Sequence, residues 1–345
     1  MVTRRDVKKW AESVQKDTPA VKALKEENRK LRARLTSAGG KAELLMHAVN
    51  EALEGFEPPK IPEPPKARKG KAEREVAVLH LSDTQFGKIT KTYDTEIATA
   101  RVAEYTERAL RCIEAHRHYA SVDEAVLLLG GDMIEGEQIF PGQAHLIDQP
   151  VIDQAVRDCP AALADCIRRL ASSVAKVRVV CVAGNHGRPT SKHAGSHPKT
   201  NWDRVCYEVT RKMVGANPRI TWDIPDDFYS VTDVLGHKLL MVHGHQVSGG
   251  FAGFPFYGVG KKLAGWIDSI DEDWNHLFLG HFHQYAQGSM NGRFWFCNGT
   301  TESDNEYARE ELAASGSPVQ RLQFWNRKHG LVADRPIYLS YALKP

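Results

Sequence analysis

The sequence predicts an α/β fold preceded by a helical arm, and three observations carry that reading. Residues 75–182 alternate short apolar runs, rich in β-branched residues, with longer stretches of helical spacing, a β-α-β-α-β order. Beyond residue 218 the texture turns to short strands at 220–224, 228–234, 238–242, 276–279, 285–290 and 293–297. One helix, near 258–270, interrupts them. Third, five apolar runs end on residues that pack poorly but bind ions and phosphates well. These are Asp83, Asp132, Asn185 with His186, His243, and His281 with His283. Five strands ending this way describe one site assembled at one edge of a sheet.

Taken in order, the arm comes first. Pro19 follows Asp17 and Thr18 and suits the first turn of a helix. Val21, Leu24, Asn28, Leu31 and Leu35 then recur at heptad spacing, with Asn at an a position, a device that fixes register in parallel dimers. The seam covers only about two heptads, so a homodimer through residues 19–36 and a helix pair packed on itself or on the body both fit. Ala38-Gly39-Gly40 reads as the helix end, and residues 42–53 as a second short helix. Residues 57–65, rich in proline, read as an extended spacer before a basic run at 66–71. The domain boundary is placed near residue 72, giving an extension of 1–72 and a catalytic domain of 73–345.

Residues 1–75 carry 18 Lys and Arg against 12 Asp and Glu, an excess of +6 in a chain of net charge +3. All the excess positive charge therefore sits in the arm, which suits contact with nucleic acid or another polyanion. Interspersed acids and few aromatics suit a solvated helical face equally. No apolar run approaches the roughly 20 residues of a membrane span, and the basic N-terminus has no apolar core after it, so neither a membrane partner nor a signal peptide is expected. Six cysteines without CxxC pairing, several inside apolar runs, suggest buried free thiols and a cytoplasmic setting.

The helices of the main domain follow from periodicity. Residues 94–118 (Ile97, Val102, Tyr105, Leu110, Ile113) and 151–174 show apolar residues at helical spacing. The strand ends read Asp83-Thr84-Gln85, Gly130-Gly131-Asp132-Met133-Ile134-Glu135-Gly136, Gly184-Asn185-His186-Gly187, His243-Gly244-His245 and Gly280-His281-Phe282-His283. Singly each is a weak signal. In this order, each closing an apolar strand with glycines leaving room for close approach, they are specific.

This ordered set resembles the calcineurin-like metallophosphoesterase superfamily over about residues 75–300. The resemblance implies two packed mixed β-sheets flanked by helices, a four-layer sandwich with two divalent metal ions at the strand ends. Carried over by position, one ion would take Asp83, Gln85, Asp132 and His283, and the other Asp132, Asn185, His243 and His281. Asp132 would bridge them. Two dications about 3.5–4 Å apart clamp a phosphate and lower the pKa of a shared water, which attacks phosphorus in line. His186 matches the family's candidate for proton donor to the leaving oxygen or stabiliser of the transition state.

Two positions depart from the family. The first motif is usually Asp-x-His, and Gln85 here offers a harder, weaker amide oxygen. The first ion should then lean toward Mn²⁺, with Mg²⁺, Fe or Zn²⁺ as alternatives. Asp-x-Gln also occurs in the manganese-dependent ADP-ribose and CDP-alcohol diphosphatase branch, similar in this feature alone. Gly187 stands where Asp or Glu often follows the histidine, so whatever orients His186 must come from elsewhere. His243 directly follows its strand and is the expected ligand; His245 is assigned to the ligands' surroundings or the substrate. Arg188 opens a basic loop, with Lys192, His193, His197 and Lys199, suited to phosphate or leaving-group contact. Phe251, Phe254, Phe256 and Tyr257 read as anchors of a glycine-rich loop, with base stacking as the alternative. His116, His118, His145 and His237 read as structural or surface residues, and Asp304, Glu306 and Glu310 as a solvated acidic helix face.

The function this implies is a metal-dependent phosphodiesterase acting on nucleic acid or nucleotides. A phosphomonoesterase on a phosphoprotein or small metabolite is the alternative, and a non-catalytic scaffold on the same fold a third. The two-metal clamp serves mono- and diesters alike, so the motifs do not separate the first two.

Overall fold

The strands run apolar on both faces because both faces are covered. In the computed structural model, which describes residues 19–36, 38–65, 73–190, 198–249, 254–304 and 317–339, β1 (Arg74–Leu81) is buried at every position after Arg74. It lies inside a six-stranded sheet with β2 (Ser121–Leu129), β3 (Lys176–Cys181), β4 (Ile220–Asp223), β10 (Val319–Asn326) and β11 (Gly330–Tyr338), in the order β11-β10-β1-β2-β3-β4. β1 to β4 are parallel, while β10 and β11 join antiparallel. A second sheet holds β5 (Tyr229–Val234), β6 (His237–Val242), β7 (His276–Leu279), β8 (Ala286–Met290) and β9 (Arg293–Cys297), in the order β5-β6-β7-β9-β8. It too is mixed.

Alternate residues of the two sheets meet in one core. Val76, Val78, Val126, Leu128, Val180 and Val182 face Leu239, Met241, Phe278 and Phe296, with Trp325 of β10 among them. The opposite residues of the second sheet, Leu240, Val242, Leu277 and Leu279, pack under Val259, Leu263 and Trp266 of the helix Phe256–Ser269. On the outside of the first sheet, Tyr105 of the helix Thr95–His116 donates to the Arg321 carbonyl at 2.8 Å. Tyr207 of the helix Trp202–Val214 donates to the Val182 carbonyl at 2.9 Å. The result is the expected fold class, two packed mixed sheets flanked by helices.

Several elements differ from the sequence reading. β10 and β11 were not expected, because β10 buries Gln320, Arg321 and Gln323 completely and so has no apolar alternation. Arg321 is compensated through its two terminal nitrogens: its guanidinium donates to the Gln287 side chain, the Ala286 and Cys297 carbonyls and the Asp334 carboxylate, and lies 3.8 Å from the centre of the Tyr285 ring. The helix expected at 151–174 is broken by a π turn at Gln154–Asp158 before it continues as Cys159–Ser173. That turn buries Gln154, which accepts from the Gly136 amide at 2.9 Å and so ties the helix to the turn that follows β2.

In the arm, helices span Pro19–Thr36 and Ala38–Ala52, so Ala38-Gly39-Gly40 opens the second helix rather than closing the first. The chain divides into two compact units between Ala48 and Val49, whereas the composition changes near residue 72. The proline-rich run belongs to the second unit: Ile61 is buried, and the Pro62 carbonyl accepts from Arg219 at 3.2 Å. Phe251, Lys192, His193, His197, Glu306 and Glu310 lie outside the described residues.

Candidate metal centre and active site

Five of the expected site residues have left-handed backbones: Asp83, Gln85, Asp132, His281 and His283, with φ of 54°, 41°, 50°, 70° and 53°. Such backbones cost free energy in any residue but glycine and persist where surrounding structure over-determines them, commonly at functional sites. Here the turns hold one another. The Asp83 amide donates to the Gly131 carbonyl and the Gln85 amide to the Asp132 carbonyl, both at 3.0 Å. The His281 amide donates to Asp83 Oδ1 at 3.0 Å, joining the second sheet's turn to the first sheet's.

Asp132, His243 and His281 form a group whose ligand atoms all lie within 4.8 Å of one another. His243 Nδ1 donates to the Gly130 carbonyl at 2.8 Å, so in the neutral ring the lone pair is on Nε2. That lone pair faces Asp132 Oδ2 at 2.9 Å. Two electron-rich atoms aimed at each other call for a cation between or beside them, a proton or a metal ion. Burial favours neutral Asp132, yet His243 and His186 hold its carboxyl well below the usual range. Burial works against charge on His243 as well, and Asp132 raises it to about 9.

Asn185 Oδ1 is buried without a hydrogen-bond partner among the described residues, an acceptor that a cation would satisfy. These four donors fit a divalent ion. Beside them, His283 Nε2 lies 3.4 Å from Asp83 Oδ1. Gln85 sits differently: Oε1 is 3.4 Å from Lys88 Nζ, and Nε2 is 3.4 Å from His186 Nε2. In this arrangement the amide oxygen is turned to the lysine. Backbone approach to Asp132 is close at Gly184, where a Cβ would fall 2.0 Å from Asp132 Oδ1, so only glycine fits the third turn.

What orients His186 is Glu135. His186 Nδ1 lies 3.1 Å from both the Glu135 carbonyl oxygen and its Oε2. The His186 amide donates to Asp132 Oδ1 at 2.7 Å, and its Nε2 points back to Asp132 Oδ2 at 4.0 Å. Against the cost of burial, Glu135 and Asp132 raise the imidazole pKa to about 9. Gly187 cannot bear the acidic side chain often found after this histidine. A Cβ there would meet Asn201 Oδ1 at 2.1 Å, where Asn201 caps the helix Trp202–Val214.

Four residues of the site escaped the sequence reading: Glu135, Lys88, Asp203 and Glu302. Asp203 is wholly buried and accepts from the amides of Asp132 at 2.9 Å, Met133 at 3.0 Å and Gly184 at 2.8 Å, clamping the second and third turns together. Burial and the neighbouring Asp132 charge raise its carboxyl pKa to about 6. Glu302 backs His283, with Oε2 at 3.3 Å from Nδ1. Glu135 stood inside the quoted motif, three residues after Asp132, and its spacing was the available signal. For Asp203 and Glu302 the sequence offers none beyond their residue type.

His245 lies beside the ligands rather than among them, its ring centre 5.5 Å from that of His243 and 6.2 Å from that of His281. Its Nδ1 is buried without a hydrogen-bond partner among the described residues, and burial with the nearby His243 lowers its pKa to about 3. Arg188 is half-buried, and its guanidinium has no ion pair among the described residues. The aromatic run divides. Phe254 is an anchor, buried and packed on Phe282 between the two histidines, with ring centres 5.3 Å apart. Phe256 and Tyr257 are exposed, at 59% and 81%.

Fold and turns together agree with what the resemblance to calcineurin-like metallophosphoesterases implies: two mixed sheets, helices outside, and the motif residues gathered at the strand ends. No family model matches the chain. It is 25% identical over 278 residues to the SPbeta prophage-derived uncharacterized protein YonJ of Bacillus subtilis (strain 168), covering 75% of this chain. The chain spans 64% of that relative's length. Among solved structures, a predicted phosphoesterase from Streptococcus pneumoniae TIGR4 is similar at 14% identity and a TM-score of 0.31, covering 77% of this chain and 99% of that one. Zinc-complexed Vps29 from Entamoeba histolytica is similar at 14% identity and 0.34, covering 76% and 99%. An archaeal phosphodiesterase is similar at 10% identity and 0.37, covering 76% and 99%. The chemistry of the site rests on its own geometry.

Proposed function

We propose that this protein is a binuclear metal-dependent phosphoesterase that cleaves phosphodiesters of nucleotides or nucleic acid. One observation carries the reading: the ligand atoms of Asp132, His243 and His281 converge within 4.8 Å, and the buried Asn185 Oδ1 at the third strand end has no hydrogen-bond partner among the described residues. Asp132, Asn185, His243 and His281 would hold one ion, and Asp83, Asp132 and His283 the other, joined by Gln85 once its oxygen turns from Lys88. Bound there, two dications would acidify a water and neutralise phosphate charge.

The chain's own groups supply the rest. His186, held through Nδ1 by Glu135, keeps a proton on Nε2 for the leaving oxygen. Arg188, without an ion pair among the described residues, is available to a non-bridging phosphate oxygen. His245, with its ring 5.5 Å from that of His243, would contact the substrate beside the ligands. The exposed rings of Phe256 and Tyr257 lead away from Phe254 and Phe282, and would stack a base beside the scissile group. This favours a nucleotide diester over a small phosphomonoester.

The decisive experiment treats metal-stripped protein with bis- and mono-nitrophenyl phosphate across Mn²⁺, Mg²⁺, Fe²⁺ and Zn²⁺. Diester turnover highest with Mn²⁺ supports the reading. Preference for the monoester would replace it with a phosphomonoesterase, and no turnover with bound metal would leave a scaffold.

A further inference from the structure

Lys88 stands in the turn that follows β1, its amide donating to the Gln85 carbonyl at 3.1 Å, and its ammonium sits between two buried carboxylates that serve different halves of the site. Nζ is 2.9 Å from Glu302 Oε1 and 4.0 Å from Glu135 Oε2. The side chain of Lys88 is 16% exposed, and those of Glu135 and Glu302 only 2% and 1%. Each carboxylate then reaches a different imidazole: Glu302 Oε2 is 3.3 Å from His283 Nδ1, and Glu135 Oε2 is 3.1 Å from His186 Nδ1. Two carboxylates buried this deeply need a cation, since an uncompensated buried charge is strongly destabilising. Lys88 is the cation common to both. Gln143 adds a bond from Nε2 to Glu135 Oε1 at 2.9 Å, which leaves Oε2 for His186 and Lys88.

We propose that Lys88 is a positioning residue shared by both halves of the centre. Through Glu302 it sets the ring of His283 toward the first ion, and through Glu135 it sets the ring of His186 toward the leaving oxygen. One ammonium thus couples metal retention to proton donation, a link that no single turn of the chain contains. The same lysine draws the Gln85 oxygen, 3.4 Å away, to its own side of the site. The inference rests on the phosphoesterase reading above.

The test uses the full chain and two readouts. One is calorimetric titration of Mn²⁺ into metal-stripped protein; the other is the dependence of rate on leaving-group pKa across aryl phosphodiesters. Glu302→Gln should weaken one of two Mn²⁺ sites by about 10–100-fold, the usual effect of losing a ligand's outer partner, and leave the leaving-group dependence unchanged. Glu135→Gln should steepen that dependence and leave both affinities unchanged. Lys88→Met should do both at once. Should Lys88→Met fail to fold by circular dichroism, Lys88→Arg, which keeps the charge and displaces it, should move both readouts in the same directions by less. Wild-type Mn²⁺ binding and leaving-group dependence in the folded lysine variant would overturn the proposal. If the wild type binds Mn²⁺ but cleaves no ester, the phosphoesterase reading fails, while the titration of Lys88 and Glu302 variants still decides the metal half of the link.

Discussion

His243 and Asp132 face each other with imidazole Nε2 at 2.9 Å from a carboxylate oxygen, and the ring is oriented by the Gly130 carbonyl, which accepts from Nδ1 at 2.8 Å. The carbonyl belongs to the turn that ends in Asp132. The same short segment therefore provides the carboxylate and sets the donor that opposes it. Ligand orientation by an outer hydrogen bond is the general device of metal sites. Asp132→Asn keeps the shape and removes the charge. Metal analysis of the purified variant should show loss of metal beyond the about 10–100-fold weakening that an outer-partner change produces, and turnover should fall with it. Two ions retained at normal activity would remove Asp132 from the centre.

His186→Ala should leave metal content near that of the wild type, because the ring is oriented by Glu135 and lies 4.0 Å from Asp132 Oδ2. The rate should fall by about 10²–10⁴-fold, the usual contribution of a positioned proton donor. The loss should shrink with nitrophenolate as leaving group, which needs no proton. Equal losses on good and poor leaving groups, accompanied by loss of metal, would make His186 a ligand.

Asp203 predicts a stability effect in a residue that touches no substrate. Its carboxylate accepts from three buried amides on two turns. Asp203→Ala leaves those donors without their acceptor, at a cost of about 1–3 kcal/mol for each unsatisfied group. Denaturant unfolding should show a lower midpoint, and Asp203→Asn, which keeps an acceptor, should lose less. A midpoint for the alanine variant equal to the wild type would mean that the clamp is not needed.

Gln85 offers a test of metal choice. If its oxygen turns from Lys88 to the first ion, that ion sees mostly hard oxygen donors and prefers Mn²⁺ or Mg²⁺, while the second, with two imidazoles, suits a borderline metal. Activity should peak with Mn²⁺, one ion should wash out before the other, and Gln85→His should shift the optimum toward Zn²⁺ or Co²⁺. Two equally tight zinc sites, unaltered by the substitution, would show that Gln85 does not touch metal.

For the arm, the division between Ala48 and Val49 sets where to cut. A chain beginning at Val49 should hydrolyse a small chromogenic diester at the full-length rate. In sedimentation it should run as a monomer if residues 19–36 form a dimer seam. Loss of small-substrate activity in a folded truncation would place the arm in the active site.

The sequence by itself determined the fold class and the roster of strand-end residues, because both follow from local pattern. Strands covered on two faces read as unbroken apolar runs, and a polar residue directly after such a run stands at the sheet's edge. Asp83, Asp132, Asn185, His186, His243, His281 and His283 were legible for that reason. β10 was not, since its buried Gln320, Arg321 and Gln323 are made tolerable by partners that the chain brings together from elsewhere. Tertiary structure sets His243 against Asp132, as its place directly after the strand implied. It also decided that Glu135 does the work an acid at position 187 would otherwise do, and that Lys88 stands between Glu135 and Glu302. The physical reason is the same in each case. Hydrogen bonds and charge compensation act between residues distant in sequence, so their geometry exists only after the sheets have packed.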